Sequence, residues 1–303
     1  MSKPMPRFAF FGTPQFAVHT LNALEAHWFL PALVVTAPDK PAGRGLKLQP
    51  SPAKVWAKEH DIDILEPLSL REESFVAELG NTDWDVFVVA AYSKLIPKNI
   101  LVVPRKGSLN IHPSLLPKFR GPSPAGSAIL ADERATGVSV MLMSEKMDAG
   151  PIVAQARIEL EEGAGGWPPT SSFLEELLAT EGGNLLAEIL PKWLAGTITP
   201  EPQEESKATY THKFKDQDAL VDLMGDARTN LLKIRAFDQS PRAHFFTQGG
   251  KRVIITDAEI KDGALEVIKV IPEGKREMLY KTFLQSGVKQ TLPEGAQGDG
   301  PRN

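Results

Sequence analysis

Through the first two-thirds of the chain, short apolar runs alternate with longer amphipathic stretches. Phe8–Phe11, Leu33–Ala37, Ile62–Leu65, Val86–Ala91 and Ser108–Ile111 have strand length and predict buried β-strands. Helix-length segments separate them, among them Pro52–His60, which Ser51 caps, and Glu72–Leu79. At the first junction Gly12 marks a turn, with Thr13 as N-cap and Pro14 at the first helical position. This alternation predicts an α/β fold, a doubly wound and mostly parallel sheet with helices on both faces and ligands at the carboxyl ends of its strands. Gly137–Met143 and Ile152–Ile158, joined by a polar turn, predict a later strand pair, and Leu174–Leu194 has helical spacing.

After Leu194 the pattern changes. AGTITPEPQEESKATY (195–210) holds two prolines, three acids and little apolar content, the composition of a linker. Beyond it, Ala243–Phe246, Lys251–Thr256, Ile260 and Leu265–Ile271 are short β-rich runs divided by Gly-Gly and Asp-Gly turns, which predict a small β domain. From Ser286 the chain is rich in Gly, Pro and Gln. The expected organisation is a catalytic domain over 1–195, a linker over 196–210, a small β domain over 211–285 and a disordered tail over 286–303.

Composition narrows the chemistry. The chain has no cysteine, which excludes disulfides, thiolate metal sites and a cysteine nucleophile. Its six histidines include no two spaced three to five residues apart, so no local pair supplies a metal site. The apolar runs are far shorter than the roughly 18 residues of a membrane span, and a cytoplasmic location is expected. Net charge is −4, unevenly divided: residues 1–206 hold 18 basic and 25 acidic side chains, whereas 207–303 hold 16 and 13. Basic residues also cluster without acids, six in 94–120 and five in 40–58, a pattern suited to a phosphate backbone.

Three segments have residue types that could do chemistry. FFGTPQFA places one glycine after the first strand but lacks the further glycines of a dinucleotide fingerprint, and reads as a tight strand-to-helix turn. In SLNIHPSLLPKFRGPSP (108–124), Asn110 and His112 alternate on a strand end, so their side chains share a face at the sheet's carboxyl edge. An amide donor can polarise a carbonyl and hold a tetrahedral oxyanion, and an imidazole can move an amine's proton, the requirements of acyl transfer. In SEKMDAGPI (144–152), the Asp148 carboxylate could orient His112 or hold a water. Taken singly, the Asn-x-His pair and Asp148-Ala149-Gly150 also fit ordinary hydrogen-bonded turns.

Taken together, Asn110, His112, Ser114-Leu115-Leu116-Pro117 and Asp148 resemble, in order and near spacing, the N-x-H-x-S-L-L-P and D-x-G motifs of the 10-formyltetrahydrofolate-dependent formyltransferases. The likeness runs from about Arg7 to about Leu284, dense through Asp148 and thinner after the linker. It implies a formyltransferase-like Rossmann domain followed by a small OB-like β-barrel. It also implies Asn110 as oxyanion donor, His112 as proton shuttle and Asp148 as the group holding His112 and a water. VVAAYSKLIP (88–97), with Ala91, Tyr92, Lys94 and Ile96, would line the folate pocket beside Ser114, Leu115, Leu116, Pro117 and Met143. Ser93 stands where the family pattern has glycine.

TAPDKPAGRGLKLQPSPAK (36–54) is similar to the long loop that tRNA-acting members insert after their second strand. The resemblance therefore implies initiator methionyl-tRNA as acceptor, with Arg44 reaching the acceptor stem and Lys40 and Lys47 adding charge. Folate would be the co-substrate, with no metal, no membrane and no obligate protein partner. IRAFDQSPRAHF (234–245) and GKREMLYKTFL (274–284) resemble the family's tRNA-binding barrel, and Lys233, Arg235, Arg242, Lys251 and Arg252 are expected around its strands. The alternative acceptor is a nucleotide-linked amino sugar, which needs no basic PAGRG loop. A non-catalytic binder on the same fold would need none of Asn110, His112 and Asp148.

Overall fold

The computed structural model describes residues 5–42, 47–163 and 166–286. Arg44, expected at the acceptor stem, and the expected tail beyond Ser286 lie outside them. The chain forms two compact units: Met1–Pro124 with Ala135–Glu159 and Glu175–Thr211, and Ala125–Arg134 with Leu160–Leu174 and His212–Asn303.

In chain order the elements are β1 (Phe8–Gly12), α1 (Gln15–Ala26), β2 (Leu33–Val35), β3 (Lys40–Ala42), β4 (Lys47–Gln49), α2 (Pro52–Glu59), β5 (Asp63–Leu65), α3 (Glu73–Gly80), β6 (Val86–Ala90), α4 (Lys98–Leu101) and β7 (Ser108–His112). Then follow α5 (Pro124–Leu130), β8 (Ala135–Leu142), β9 (Ile152–Glu159), α6 (Ser171–Leu194), α7 (Ala227–Ala236), β10 (His244–Phe246), β11 (Arg252–Lys261), β12 (Ala264–Pro272), β13 (Met278–Leu279) and α8 (Tyr280–Gln285).

The first unit is built on a seven-stranded sheet ordered β5-β2-β1-β6-β7-β8-β9. Pairing is parallel from β5 to β7 and antiparallel from β7 to β9. The doubly wound, mostly parallel sheet expected from the alternation is present, and the later strand pair forms its antiparallel edge. Strand alternation sorts the side chains between two faces. Ala9, Phe11, Leu33, Val35, Phe87 and Val89 pack against Phe75 and Leu79 of α3 and Ile100 and Leu101 of α4. On the opposite face, α6 comes so close that a Cβ on Gly182 would lie 2.4 Å from the Ile111 methyl Cγ2.

Two local expectations are corrected. Thr13 is not the N-cap of α1: Pro14 takes that place in extended conformation and the helix starts at Gln15 with no side-chain cap. The Thr13 hydroxyl instead accepts from the Thr36 hydroxyl at 3.5 Å, and its carbonyl accepts from Ala53 N at 3.3 Å. The 36–49 segment, expected as a loop, contains a paired hairpin in which Lys40 faces Gln49 and Ala42 faces Lys47.

Ser51 does cap α2, its hydroxyl accepting from Lys54 N at 3.1 Å, and it also pairs with the Thr36 hydroxyl at 2.8 Å. Ser51→Ala is expected to cost about 1 to 2 kcal/mol, because it leaves both a helix N–H and a buried hydroxyl without their partner. Denaturant unfolding with an unchanged m-value checks this.

Residues 196–210, expected as a linker, are held along the first unit. Glu201 exchanges two 2.8 Å backbone bonds with Ile152, and Arg120 bonds to Thr209 and Thr211. The physical reason is that this stretch satisfies its backbone through distant strands and turns, which polar composition alone does not reveal.

The second unit holds a four-stranded antiparallel sheet, β10-β11-β12-β13, with irregular register about Asp257 that bends β11. It is the small OB-like domain that was expected. α7 is capped by Asp226 and buries Leu231, Leu232 and Ile234. Of the basic candidates there, Lys233 and Arg235 lie on α7; Lys233 donates to the Leu220 carbonyl and Arg235 to the carbonyl of Ala258 on β11. Arg252, on β11, pairs with Asp216 at 2.9 Å. Among the described residues, no helix is long and apolar enough to cross a membrane.

Candidate active site

The sequence S-L-N-I-H of β7 is fully buried and alternates polar with apolar. Leu109 and Ile111 take the α6 side, while Ser108, Asn110 and His112 share the face of Phe87 and Val89, their parallel partners being Phe87 for Ser108 and Val89 for Asn110. Helix packing on one side thus forces the three polar side chains to the other. The Ser108 hydroxyl donates to Leu101 O at 2.9 Å. Asn110, 9% exposed, has no hydrogen-bond partner for its amide among the described residues, which leaves a directed donor at the strand end.

His112 is 4% exposed, and its Nε2 lies 2.9 Å from Phe119 O. A carbonyl only accepts, so Nε2 carries hydrogen and Nδ1 is the proton-accepting atom of the neutral ring. Nδ1 faces Asp148 Oδ2 at 3.7 Å, too far for a direct bond. That carboxylate oxygen accepts from Gly121 N at 2.8 Å, and Asp148 itself has a left-handed backbone, φ 49°. A proton on Nδ1 therefore gains a fixed counter-charge.

The turn after β7 is braced from β8 and β9. Ser139, opposite His112, accepts from Leu116 N at 3.0 Å and donates to Ser114 O at 2.6 Å. Gln155 donates to Leu116 O and to the Ser139 hydroxyl. The Ser114 hydroxyl closes the turn on Lys118 O, while Leu115 and Pro117 stay half-exposed. Sequence reasoning missed Ser139 and Gln155. A buried serine inside the apolar run VSVML was the available signal for the first.

Beside β7 lies a cavity of 490 Å³ lined by Leu101, Val102, Gly107, Ser108, Leu142 and Met143, among others. Its wall is largely apolar, with Lys98, Ser144 and Glu145 also lining it, and of the residues expected around folate it includes Met143. Ile96, Leu101, Tyr92 and Met143 belong to the same apolar cluster. Burial pushes the Tyr92 phenol up to about 12, so the hydroxyl stays neutral there. Ala91 is exposed with φ 51°. The Lys94 ammonium donates to the carbonyls of Pro67 and Leu68 at 2.5 and 2.9 Å, which anchors the 67–68 loop.

The basic cluster of 94–120 is smaller in space than in sequence. Arg120 is 1% exposed and bonded to Glu205, Arg105 pairs with Asp85, and Lys98 pairs with Glu145. Lys40 and Lys47 are exposed on the hairpin. Lys54, from the same stretch, ties the hairpin base to Asp39 and Glu66 at 2.6 and 2.7 Å. Those two partners raise its pKa.

An amide donor, an imidazole with one free nitrogen and a carboxylate behind it, at the edge of a doubly wound sheet, define an α/β group-transfer enzyme acting on a carbonyl. A family model described as formyl transferase matches residues 6–166, and the chain belongs to that family, among the methionyl-tRNA formyltransferases. The methionyl-tRNA formyltransferase of Chloroflexus aurantiacus is 39% identical over 304 residues, 92% of this chain and 96% of that protein. Two solved structures share the fold. A sugar N-formyltransferase from a Shewanella species has a TM-score of 0.63 at 20% identity, over 85% of this chain and all of that one. HypX from Aquifex aeolicus, in complex with tetrahydrofolic acid, has a TM-score of 0.63 at 19% identity, over 95% of this chain and 49% of that one.

Proposed function

We propose that this chain transfers the formyl group of 10-formyltetrahydrofolate to the α-amino group of methionine esterified to initiator tRNA. The observation that carries the reading is the trio at the end of β7, with the Asn110 amide and His112 on one face and Asp148 Oδ2 3.7 Å from the ring's Nδ1. The amine nitrogen attacks the formyl carbon, and the carbonyl oxygen takes up negative charge facing the Asn110 amide. His112 accepts the amine's proton at Nδ1, beside Asp148. As the bond from the formyl carbon to the folate nitrogen breaks, that nitrogen takes this proton from His112, the ring returns to its neutral form and the new amide is released.

Of the residues expected around the pterin, Met143 lines the cavity beside β7, and Tyr92 and Ile96 belong to the same apolar cluster as Met143. Lys40 and Lys47 flank Arg44 in sequence and would meet the acceptor stem's phosphates.

The test is formyl transfer from 10-formyltetrahydrofolate offered methionyl initiator tRNA and nucleotide-linked amino sugars side by side. Formylation of the tRNA is expected. Turnover of the amino sugar alone would replace the reading with the sugar alternative. Arg44→Ala should raise the KM for tRNA or lower kcat roughly tenfold or more, the worth of one charge-assisted contact, and spare folate affinity. Weaker folate binding with unchanged tRNA kinetics would assign the loop to the other substrate.

A further inference from the structure

Gln203 stands 55 residues after Asp148, in the stretch whose composition reads as a linker, yet its side chain reaches the trio's supports. Its Nε2 donates to Asp148 O at 2.8 Å and to Gly150 O at 2.7 Å, and its Oε1 accepts from Arg120 Nε at 3.0 Å. Arg120 sits between two residues that hold the catalytic groups: Phe119, whose carbonyl fixes His112, and Gly121, whose N–H fixes the Asp148 carboxylate. One amide therefore spans the two loops that set the 3.7 Å spacing of imidazole and carboxylate.

Both loops require such holding. Phe119 and Asp148 have left-handed backbones, φ 58° and 49°, a conformation strained for a bulky residue such as Phe119, which persists only where the surroundings over-determine it. Gln203 is itself anchored on both sides. Glu201 exchanges backbone bonds with Ile152, and Glu205 receives both bonds from Arg120 Nη1, at 3.1 and 2.9 Å. Arg120 and then Tyr210 hold the Glu205 carboxyl below its usual range. Thr209 adds a bond from Phe119 N to its hydroxyl, 2.8 Å, and one from Arg120 N to its carbonyl, 2.9 Å.

We infer that Gln203 is a positioning residue for formyl transfer, setting the Asp148 loop against the Phe119–Gly121 turn so that the carboxylate stands beside His112 Nδ1. The inference rests on the proposed roles of His112 and Asp148. It requires that Gln203 act through Asp148 and not merely through fold stability.

A double-mutant cycle separates the two. Gln203→Glu keeps the length and the acceptor for Arg120 but removes the donor to both carbonyls, and Gln203→Ala removes everything. In the native background each should lower kcat roughly ten- to a hundredfold, the effect of a misplacement of about 1 Å, with KM for folate and for tRNA within about twofold. In an Asp148→Asn background the same changes should cost less than about twofold, since the carboxylate they place is gone. An unchanged kcat, or the same loss in both backgrounds, would overturn the inference. If Asp148→Asn alone turned over at the native rate, the proposed mechanism would fail instead, and the two failures are told apart within one data set. Should Gln203→Ala fold poorly, Gln203→Glu carries the cycle, because its carboxylate retains the Arg120 contact.

Discussion

His112→Ala and Asn110→Ala are each expected to lower kcat by about two to four powers of ten while leaving folate affinity within a few-fold. The two losses have different origins. Removing the imidazole takes away Nδ1, the atom that receives the amine's proton, because Nε2 is already committed to Phe119 O. Removing the Asn110 amide takes away a donor that has no partner among the described residues, so little in the folded protein changes until charge develops on the carbonyl oxygen. Single-turnover formyl transfer together with equilibrium titration of folate separates chemistry from binding. Native turnover in both variants would refute the site assignment. A large loss of folate affinity would move Asn110 and His112 from the reacting centre to the pocket wall.

The second large effect is expected at Gly150. A Cβ there would stand 1.8 Å from the Leu142 carbonyl oxygen and 3.0 Å from its carbon, and neither backbone atom can swing aside. The loop between β8 and β9 must therefore shift in Gly150→Ala, although its ends are pinned by the bond from Leu142 N to Pro151 O and by the Glu201–Ile152 exchange. Overpacking of this kind costs about 1 to 3 kcal/mol, and a clash with backbone belongs at the upper end. Asp148 lies two residues away, and its carboxylate reaches Gly121 N only in the present loop path. We expect Tm to fall by several degrees and kcat by at least about tenfold, with folate affinity less affected than turnover. Thermal unfolding paired with steady-state kinetics tests this. Native Tm and native kcat together would show that the loop accommodates the methyl group.

Several features needed no coordinates. The alternation S-L-N-I-H determined that Asn110 and His112 share a face, because side chains in a strand alternate and the apolar Leu109 and Ile111 require burial on the other. Ser51 before Pro52 determined the start of α2, since an N-cap depends on local geometry. The β-rich runs divided by Gly-Gly and Asp-Gly turns determined the antiparallel sheet of the second unit for the same reason, short-range turn chemistry. Asp148 was legible as a possible partner of His112 from its residue type in a Gly-containing loop, and motif likeness strengthened that reading.

What the tertiary structure decided are the relations between residues far apart in sequence. Arg120 reads as one of a cluster of basic surface residues, yet it is buried, because Gln203, Glu205 and Tyr210 meet its guanidinium from 83 to 90 positions away. Lys54 reads the same way and instead ties the hairpin base to Asp39 and Glu66. Thr13 reads as a cap until Thr36 is seen to hold its hydroxyl. The 196–210 stretch reads as a linker because polar composition registers the absence of a local apolar face. It carries no record of which distant carbonyls its amides will satisfy. Local patterns follow from the geometry of one strand or helix, whereas hydrogen-bond partners are assigned only when the chain closes on itself and every buried donor must find an acceptor.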